Sequence, residues 1–147
     1  MNRQTWGVVA RLVAFAGAAA VAVGAWLPWL MVRPGHQGPV PAIHLAAMET
    51  GIAGLDWLAL AVAAVALLGV LPVELMPASV PLLGGVRAAA MTAIAGGVIV
   101  VLAVYSLVST GFLGAFVPSS GFYLTTLGAV HLSVGGALRI YAIGGET

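Results

Sequence analysis

The stretch from Val86 to Ser109, VRAAAMTAIAGGVIVVLAVYSLVS, decides the fold class of this chain. It carries one charged residue, Arg87 near its start, and Tyr105 is its only other sizeable polar group. A helix of about 20 apolar residues is long enough to cross the hydrocarbon core of a bilayer, which is roughly 30 Å thick. Length and composition therefore predict a transmembrane helix over residues 86–109.

Three further apolar runs accompany this one, over residues 12–32, 55–73 and 122–143. Hydrophobic residues make up 62% of the 147-residue sequence and charged residues 6%, whereas about a quarter of a soluble domain is charged. A membrane β-barrel would show alternating segments of about 10 residues, and the sequence does not alternate in that way. The first run is also longer than the roughly 7–15 apolar residues of a cleaved signal peptide. We therefore predict an all-α, single-domain bundle of four transmembrane helices.

The arginines predict the orientation of this bundle. With four crossings, most of them fall on one side of the membrane: Arg3, Arg11, Arg87 and Arg139. Arg33 falls on the other side. Because positive residues in short loops stay in the cytoplasm, we expect cytoplasmic termini (N-in and C-in) and external loops at 33–54 and 110–121. The predicted location is a bacterial plasma membrane, and a net charge of +1 gives no reason to expect nucleic acid as a partner.

Small residues at helical spacing predict how the helices pack. Lipid tails are as apolar as leucine, so helices in a membrane associate where small residues let their backbones approach. Such residues recur on three of the predicted helices: Ala16, Ala20 and Gly24 on the first, Gly85, Ala89, Ala93 and Gly97 on the third, and Gly121, Gly128 and Gly135 on the fourth. We interpret these stripes as contacts within the bundle, and the alternative is a surface for another subunit.

The first external loop is predicted to form an ordered cap. Residues 33–54 exceed the 2–8 residues typical of helix–helix connections, and they include several apolar side chains. We predict that this loop folds back over the outer helix ends, with a short helix or turn at 43–48. The residues assigned to this outer cap are Trp26, Trp29, Arg33, His44, Glu49, Asp56 and Trp57. The tryptophans would form its floor, and the arginine would pair with one of the two carboxylates.

His131 is the candidate cofactor-binding residue. It lies well inside the fourth apolar run, and ionisable groups at such a depth usually face protein or water. Gly128 and Gly135 share its face of the helix, which leaves room for a neighbouring helix or for a flat macrocycle, haem or a chlorin, held by the imidazole. The simpler interpretation is a neutral histidine that bonds to Tyr105, to Ser106 or to a backbone carbonyl.

The sequence offers no set of residues for catalysis. The absence of cysteine removes thiolate nucleophiles, disulfides and cysteine-bound metals. The chain contains no zinc-protease motif, no nucleophile elbow and no phosphate-binding glycine loop. His36, His44, Glu49 and Asp56 lie near one another in the sequence, but their spacing matches no zinc pattern. At the start of a helix, the carboxylate of Asp56 would meet free backbone N–H groups and the positive end of the helix dipole. From all these observations we expect neither catalytic residues nor a metal site.

Three short motifs resemble those of a known group of membrane proteins. They are WLPW at 26–29, GIAGLDWL at 51–58, and GFYL at 121–124 followed by Gly128, Gly135 and Gly136. In this combination the chain resembles small four-helix integral membrane proteins of high-GC bacteria, which have no assigned activity. The resemblance covers most of the chain. It implies the four-helix topology and supplies no catalytic residues.

These observations favour a non-catalytic accessory or scaffold subunit of a larger membrane protein assembly, with lipid and other membrane subunits as partners. One alternative is a haem- or chlorin-binding subunit for electron or energy transfer, with His131 as an axial ligand. Another is a small homo-oligomeric transporter or lipid-binding module, in which the proline-containing stretch 72–77 would let a helix move.

Overall fold

The computed structural model describes residues 3–39, 55–70, 85–109 and 114–144, and the fold is given for these ranges. Four helices occur in them: α1 (Arg3–Trp26), α2 (Asp56–Leu68), α3 (Gly85–Ser109) and α4 (Ser120–Ile143). Two three-residue strands accompany the helices: β1 (Leu30–Val32) and β2 (Phe116–Pro118). The described chain is therefore mostly helical, as predicted.

Three of the described helices are long and apolar enough to cross a membrane. α1 and α4 have 24 residues each and α3 has 25, which corresponds to roughly 36 Å at 1.5 Å per residue. α2 has 13 residues, and its length of roughly 20 Å falls short of the hydrocarbon core. The span that corresponds to α2 was predicted over residues 55–73. The last residues of that span, 71–73, lie outside the described residues, as does the rest of the stretch 72–77.

The helices form a ring in which each helix packs on two neighbours. α4 packs along α1 on one face and along α3 on another, and α2 closes the ring against α1 and α3. α1 and α4 are antiparallel, since Gly24 lies beside Gly121 and Gly17 lies beside Gly128. α3 is antiparallel to α4 as well. The start of α1, the start of α3 and the end of α4 therefore meet at one end of the bundle. We call it the arginine end, after its four arginines: Arg3, Arg11, Arg87 and Arg139.

The first helix has different limits from those predicted, and a β-ribbon follows it. α1 starts at Arg3, because a helix can continue beyond the apolar residues that a membrane span requires. It stops at Trp26 rather than at residue 32, since Pro28 lacks the N–H that would extend the helix and disfavours the helical conformation at Leu27. β1 then pairs antiparallel with β2 at the opposite end of the bundle from the arginines. The all-α prediction did not include these two short strands.

Trp29 fixes the ribbon to the bundle. Its side chain is 1% exposed, and its indole N–H donates to the carbonyl of Gly24 at 3.1 Å. The backbone N–H of Ser119 donates to the Trp29 carbonyl at 2.8 Å, and that of Arg33 donates to the Ala115 carbonyl at 2.7 Å. The ribbon therefore holds the end of α1 against the start of α4.

Glycine and alanine build the interface between α1 and α4. A Cβ on Gly128 would lie 2.6 Å from the carbonyl oxygen of Gly17, and a Cβ on Gly135 would lie 2.7 Å from the Ala14 side chain. Gly121 is similarly close to the carbonyls that follow the last turn of α1. The structure thus places all three α4 glycines of the predicted stripe against α1. Their seven-residue spacing keeps them on one side of the helix.

The predicted stripes on α1 and α3 lie only partly in the core. Ala16 is exposed, and Gly97 has open space where a Cβ would lie. Of the other predicted positions, Gly24 and Ala89 are buried, Ala20 and Ala93 are half-buried, and Gly85 is exposed. The reason is geometric, because each step of four residues rotates a stripe by about 40° around the helix. The buried face of α1 alternates steps of three and four instead: Ala10, Ala14, Gly17, Val21 and Gly24.

Candidate functional site

His131 lies at the midpoint of α4, roughly 17 Å from either end of the helix at 1.5 Å per residue. Its side chain is exposed at the surface of the bundle, and Nδ1 lies 2.8 Å from the carbonyl oxygen of Leu127. Because a carbonyl only accepts hydrogen bonds, this contact assigns the hydrogen to Nδ1. In the neutral imidazole, Nε2 is then an acceptor. Among the interpretations weighed from the sequence, the contact made is the one to a backbone carbonyl.

The surroundings of His131 combine large apolar and small side chains. On α4, Leu127 is 54% exposed and Val134 is 45% exposed. On α1, Ala16 is exposed, and Ala20 is half-buried with its Cβ 3.0 Å from the position of a Cβ on Gly128. We call this surface the His131 face and define it by five residues: His131, Leu127, Val134, Ala16 and Ala20. A polar imidazole thus lies halfway along α4 on an otherwise apolar surface. The small side chains of Ala16 and Ala20 form the α1 side of this surface.

The residues assigned to the outer cap separate into buried and exposed groups. Trp29 and Asp56 are buried, whereas Trp26 is 58% exposed and Trp57 is 57% exposed. Asp56 is the first residue of α2, where its carboxylate meets the positive end of the helix dipole. Arg33 is exposed directly after β1. His44, Glu49 and the stretch 43–48 lie outside the described residues, so the cap itself remains a prediction.

Arg139 closes the end of α2. The carbonyl of Gly69, just after this helix, has no partner within the helix. Arg139 is 6% exposed, and its Nη1 donates to that carbonyl. From α3, the buried Thr92 hydroxyl lies 3.0 Å from the Ala88 carbonyl and 3.4 Å from the Ala66 carbonyl. Side chains of α3 and α4 therefore bind carbonyl groups for which lipid offers no donor.

Sequence reasoning used Arg139 only to orient the bundle and missed this role. One signal was available, because Arg139 falls inside the apolar run 122–143 and a buried charge requires hydrogen-bond partners. The partner itself was not readable from the pattern, since Gly69 is 70 residues away along the chain.

The described residues include few side chains for acid–base or metal chemistry. Asp56 is the one acidic residue within the described ranges, and no group of three metal-ligating side chains occurs there. The arrangement offers an imidazole acceptor at mid-depth and a cluster of arginines at one end. No family model matches this chain, and neither a curated protein nor a solved structure matches it.

Proposed function

We propose that this chain is a non-catalytic accessory subunit of a larger assembly in a bacterial plasma membrane and that it docks through the His131 face. The observation that carries the proposal is the exposed imidazole at the midpoint of α4. In a lone bundle this group would face lipid, which cannot donate a hydrogen bond to Nε2. An unsatisfied polar group of this kind costs about 1–3 kcal/mol, and ionisable groups within a membrane seldom face lipid.

The partner is a transmembrane helix of a different protein with a donor side chain at mid-depth. Gly17 of α1 lies against the Cβ of His131. Nearby on α1, the small side chains of Ala16 and Ala20 are exposed and half-buried, which lets a partner backbone approach closely. A second copy of the chain fits this face less well. A symmetric pair brings the same surface of each copy together, so two imidazoles that both offer Nε2 as an acceptor would meet without a donor.

The proposed orientation keeps both termini in the cytoplasm. The four arginines of the arginine end lie together, and Arg33 lies at the ribbon end. This asymmetry supports the orientation through the tendency of positive residues to remain cytoplasmic. In this orientation the ribbon is external.

Photo-crosslinking in native membranes tests the docking surface. A photoreactive residue at Leu127, on the His131 face, is expected to give one discrete adduct with another membrane protein. The matched control is Val101 of α3, which is 67% exposed and is expected to give lipid adducts only. An adduct at twice the mass of the chain would identify a second copy and overturn the heterologous partner. Lipid adducts alone at both positions would overturn the docking proposal.

A second candidate function is the binding of haem or a chlorin through His131. The bond between Nδ1 and the Leu127 carbonyl favours it, because an imidazole ligand commonly donates its other N–H to an oxygen that fixes the ring. Nε2 is the atom that would ligate the metal of the macrocycle, and the flank formed by Ala16 and Ala20 leaves space beside it.

An absorption spectrum of protein purified from its native membrane separates this candidate from the first. If the macrocycle is bound, we expect a Soret or chlorin band that disappears in His131→Ala and persists in His36→Ala, since His36 is an exposed loop residue. A spectrum without either band would end the cofactor hypothesis.

A further inference from the structure

A cavity of about 730 Å³ opens at the arginine end of the bundle. It lies between the first turns of α1, the first residue of α3 and the last turn of α4, and its lining includes Arg3, Gln4, Arg11 and Arg139. Ligand pockets typically measure roughly 300–1,000 Å³. The cavity is therefore large enough for a small organic anion.

The lining of this cavity that the described residues provide is strongly positive. Three of the chain's five basic residues line it. The one carboxylate of the described ranges, Asp56, lies at the start of α2, away from this end of the bundle. Arg139 is held in place by its bond to Gly69, and a guanidinium has five N–H donors. Its remaining donors can therefore serve a ligand while the side chain stays fixed.

Phosphate is the anion that best matches these donors. The fork of N–H groups on arginine fits phosphate oxygens in pairs. The amide of Gln4 adds a neutral donor to the lining. α1 begins at Arg3 and α3 begins at Gly85, beside the cavity, so two positive helix ends reinforce the arginine charges. We propose that this cavity binds a phosphate group presented by an anionic lipid headgroup.

The aromatic residues near the cavity favour a lipid as the source of the phosphate. Trp6 and Tyr141 pack edge to face with ring centroids 6.4 Å apart. Tryptophan and tyrosine concentrate at the headgroup level of a membrane. Gly7 and Ala142, their neighbours in the sequence, line the cavity. The phosphate site therefore lies at the depth where lipid headgroups occur.

Native mass spectrometry of the full chain released from nanodiscs tests this proposal. The probes are bilayers of phosphatidylcholine alone, the same bilayers with phosphatidylglycerol, and inorganic phosphate added in solution. Arg11→Gln removes one lining arginine, and Arg87→Gln removes an exposed arginine that follows Gly85 at the same end. Both variants lose one charge, and thermal unfolding in phosphatidylcholine checks that both fold.

We expect wild type and Arg87→Gln to retain one phosphatidylglycerol per chain, which inorganic phosphate does not displace. Retention by Arg11→Gln should fall roughly tenfold or more, because a charge-assisted hydrogen bond is lost. Equal retention by the two variants would overturn the site. Displacement by inorganic phosphate would overturn the lipid as its source, and a failure to retain phosphatidylglycerol above phosphatidylcholine would overturn the preference for anionic headgroups.

Discussion

Replacement of Gly128 by alanine is expected to lower the free energy of unfolding by about 1–3 kcal/mol, the usual cost of forcing extra volume into a packed core. A Cβ at this position would lie 2.6 Å from the carbonyl oxygen of Gly17 and 2.7 Å from the backbone nitrogen of Val21. Both atoms belong to the backbone and cannot rotate away as a side chain can. α1 and α4 must therefore separate, which also loosens their other contacts. Reversible unfolding in mixed detergent micelles measures the change.

Gly97→Ala is the matched control for this change. Gly97 is also a glycine inside a long apolar helix, but no described residue beyond its own turn of helix has an atom within 4 Å of the position of its Cβ. Alanine favours a helix over glycine by up to about 1 kcal/mol, so this variant should be unchanged or slightly more stable. A Gly128→Ala protein as stable as the control would show that α1 and α4 are not in close backbone contact.

Replacement of Arg139 by methionine is expected to destabilise the bundle by about 1–3 kcal/mol, because the buried Gly69 carbonyl loses its donor. Removal of a buried charge partly offsets such a loss. Here the offset is small, since Arg139 also lines an open cavity where water can reach its remaining N–H groups. Arg139→Lys keeps a donor and should lose less, although lysine lacks the planar fork.

Hydrogen exchange locates the effect of the Arg139 change. In Arg139→Met, the amides of Gly69 and Val70, which bond to carbonyls in the last turn of α2, should exchange faster than in wild type. Arg87→Met removes an exposed arginine from the same end of the bundle and should change stability by less than about 0.5 kcal/mol. Faster exchange throughout the chain, with no excess at these two amides, would contradict the proposed closure of α2 by Arg139.

The sequence predicts how far His131 lies from the two membrane surfaces, but it does not predict whether its side chain is buried or exposed. Its position inside the fourth apolar run placed it far from both membrane surfaces. It is three residues from Gly128, so its side chain points about 60° to one side of the glycine line. The sequence does not say whether another helix covers that side. The packing of the helices answers this question, because α3 contacts the side of α4 that carries Ala129 and Gly136 and leaves His131 exposed.

The β-ribbon and the hydrogen bond from Arg139 to the end of α2 were not predicted from the sequence, for the same reason. Each strand has three residues, which is too short to show an alternating pattern. β1 lies at the end of the predicted run 12–32, and β2 lies within the predicted loop 110–121. Each feature also joins segments far apart in the chain: β1 with β2, and Gly69 with Arg139. Hydrogen bonds of this kind have no local signature. Pro28 is a local signal for the end of a helix, but the predicted first helix ran past it to residue 32.

The sequence by itself determined that long apolar helices dominate this chain, and this prediction is confirmed for α1, α3 and α4. Apolar length is a sum over neighbouring residues, so it needs no knowledge of the rest of the fold. The tertiary structure alone decided which small residues meet, because this depends on how each helix is rotated about its axis. Seven-residue spacing placed the α4 glycines correctly, whereas repeated four-residue steps drifted away from the contact. Rotation is set by the surfaces of neighbouring helices, and those surfaces exist only once the bundle has assembled.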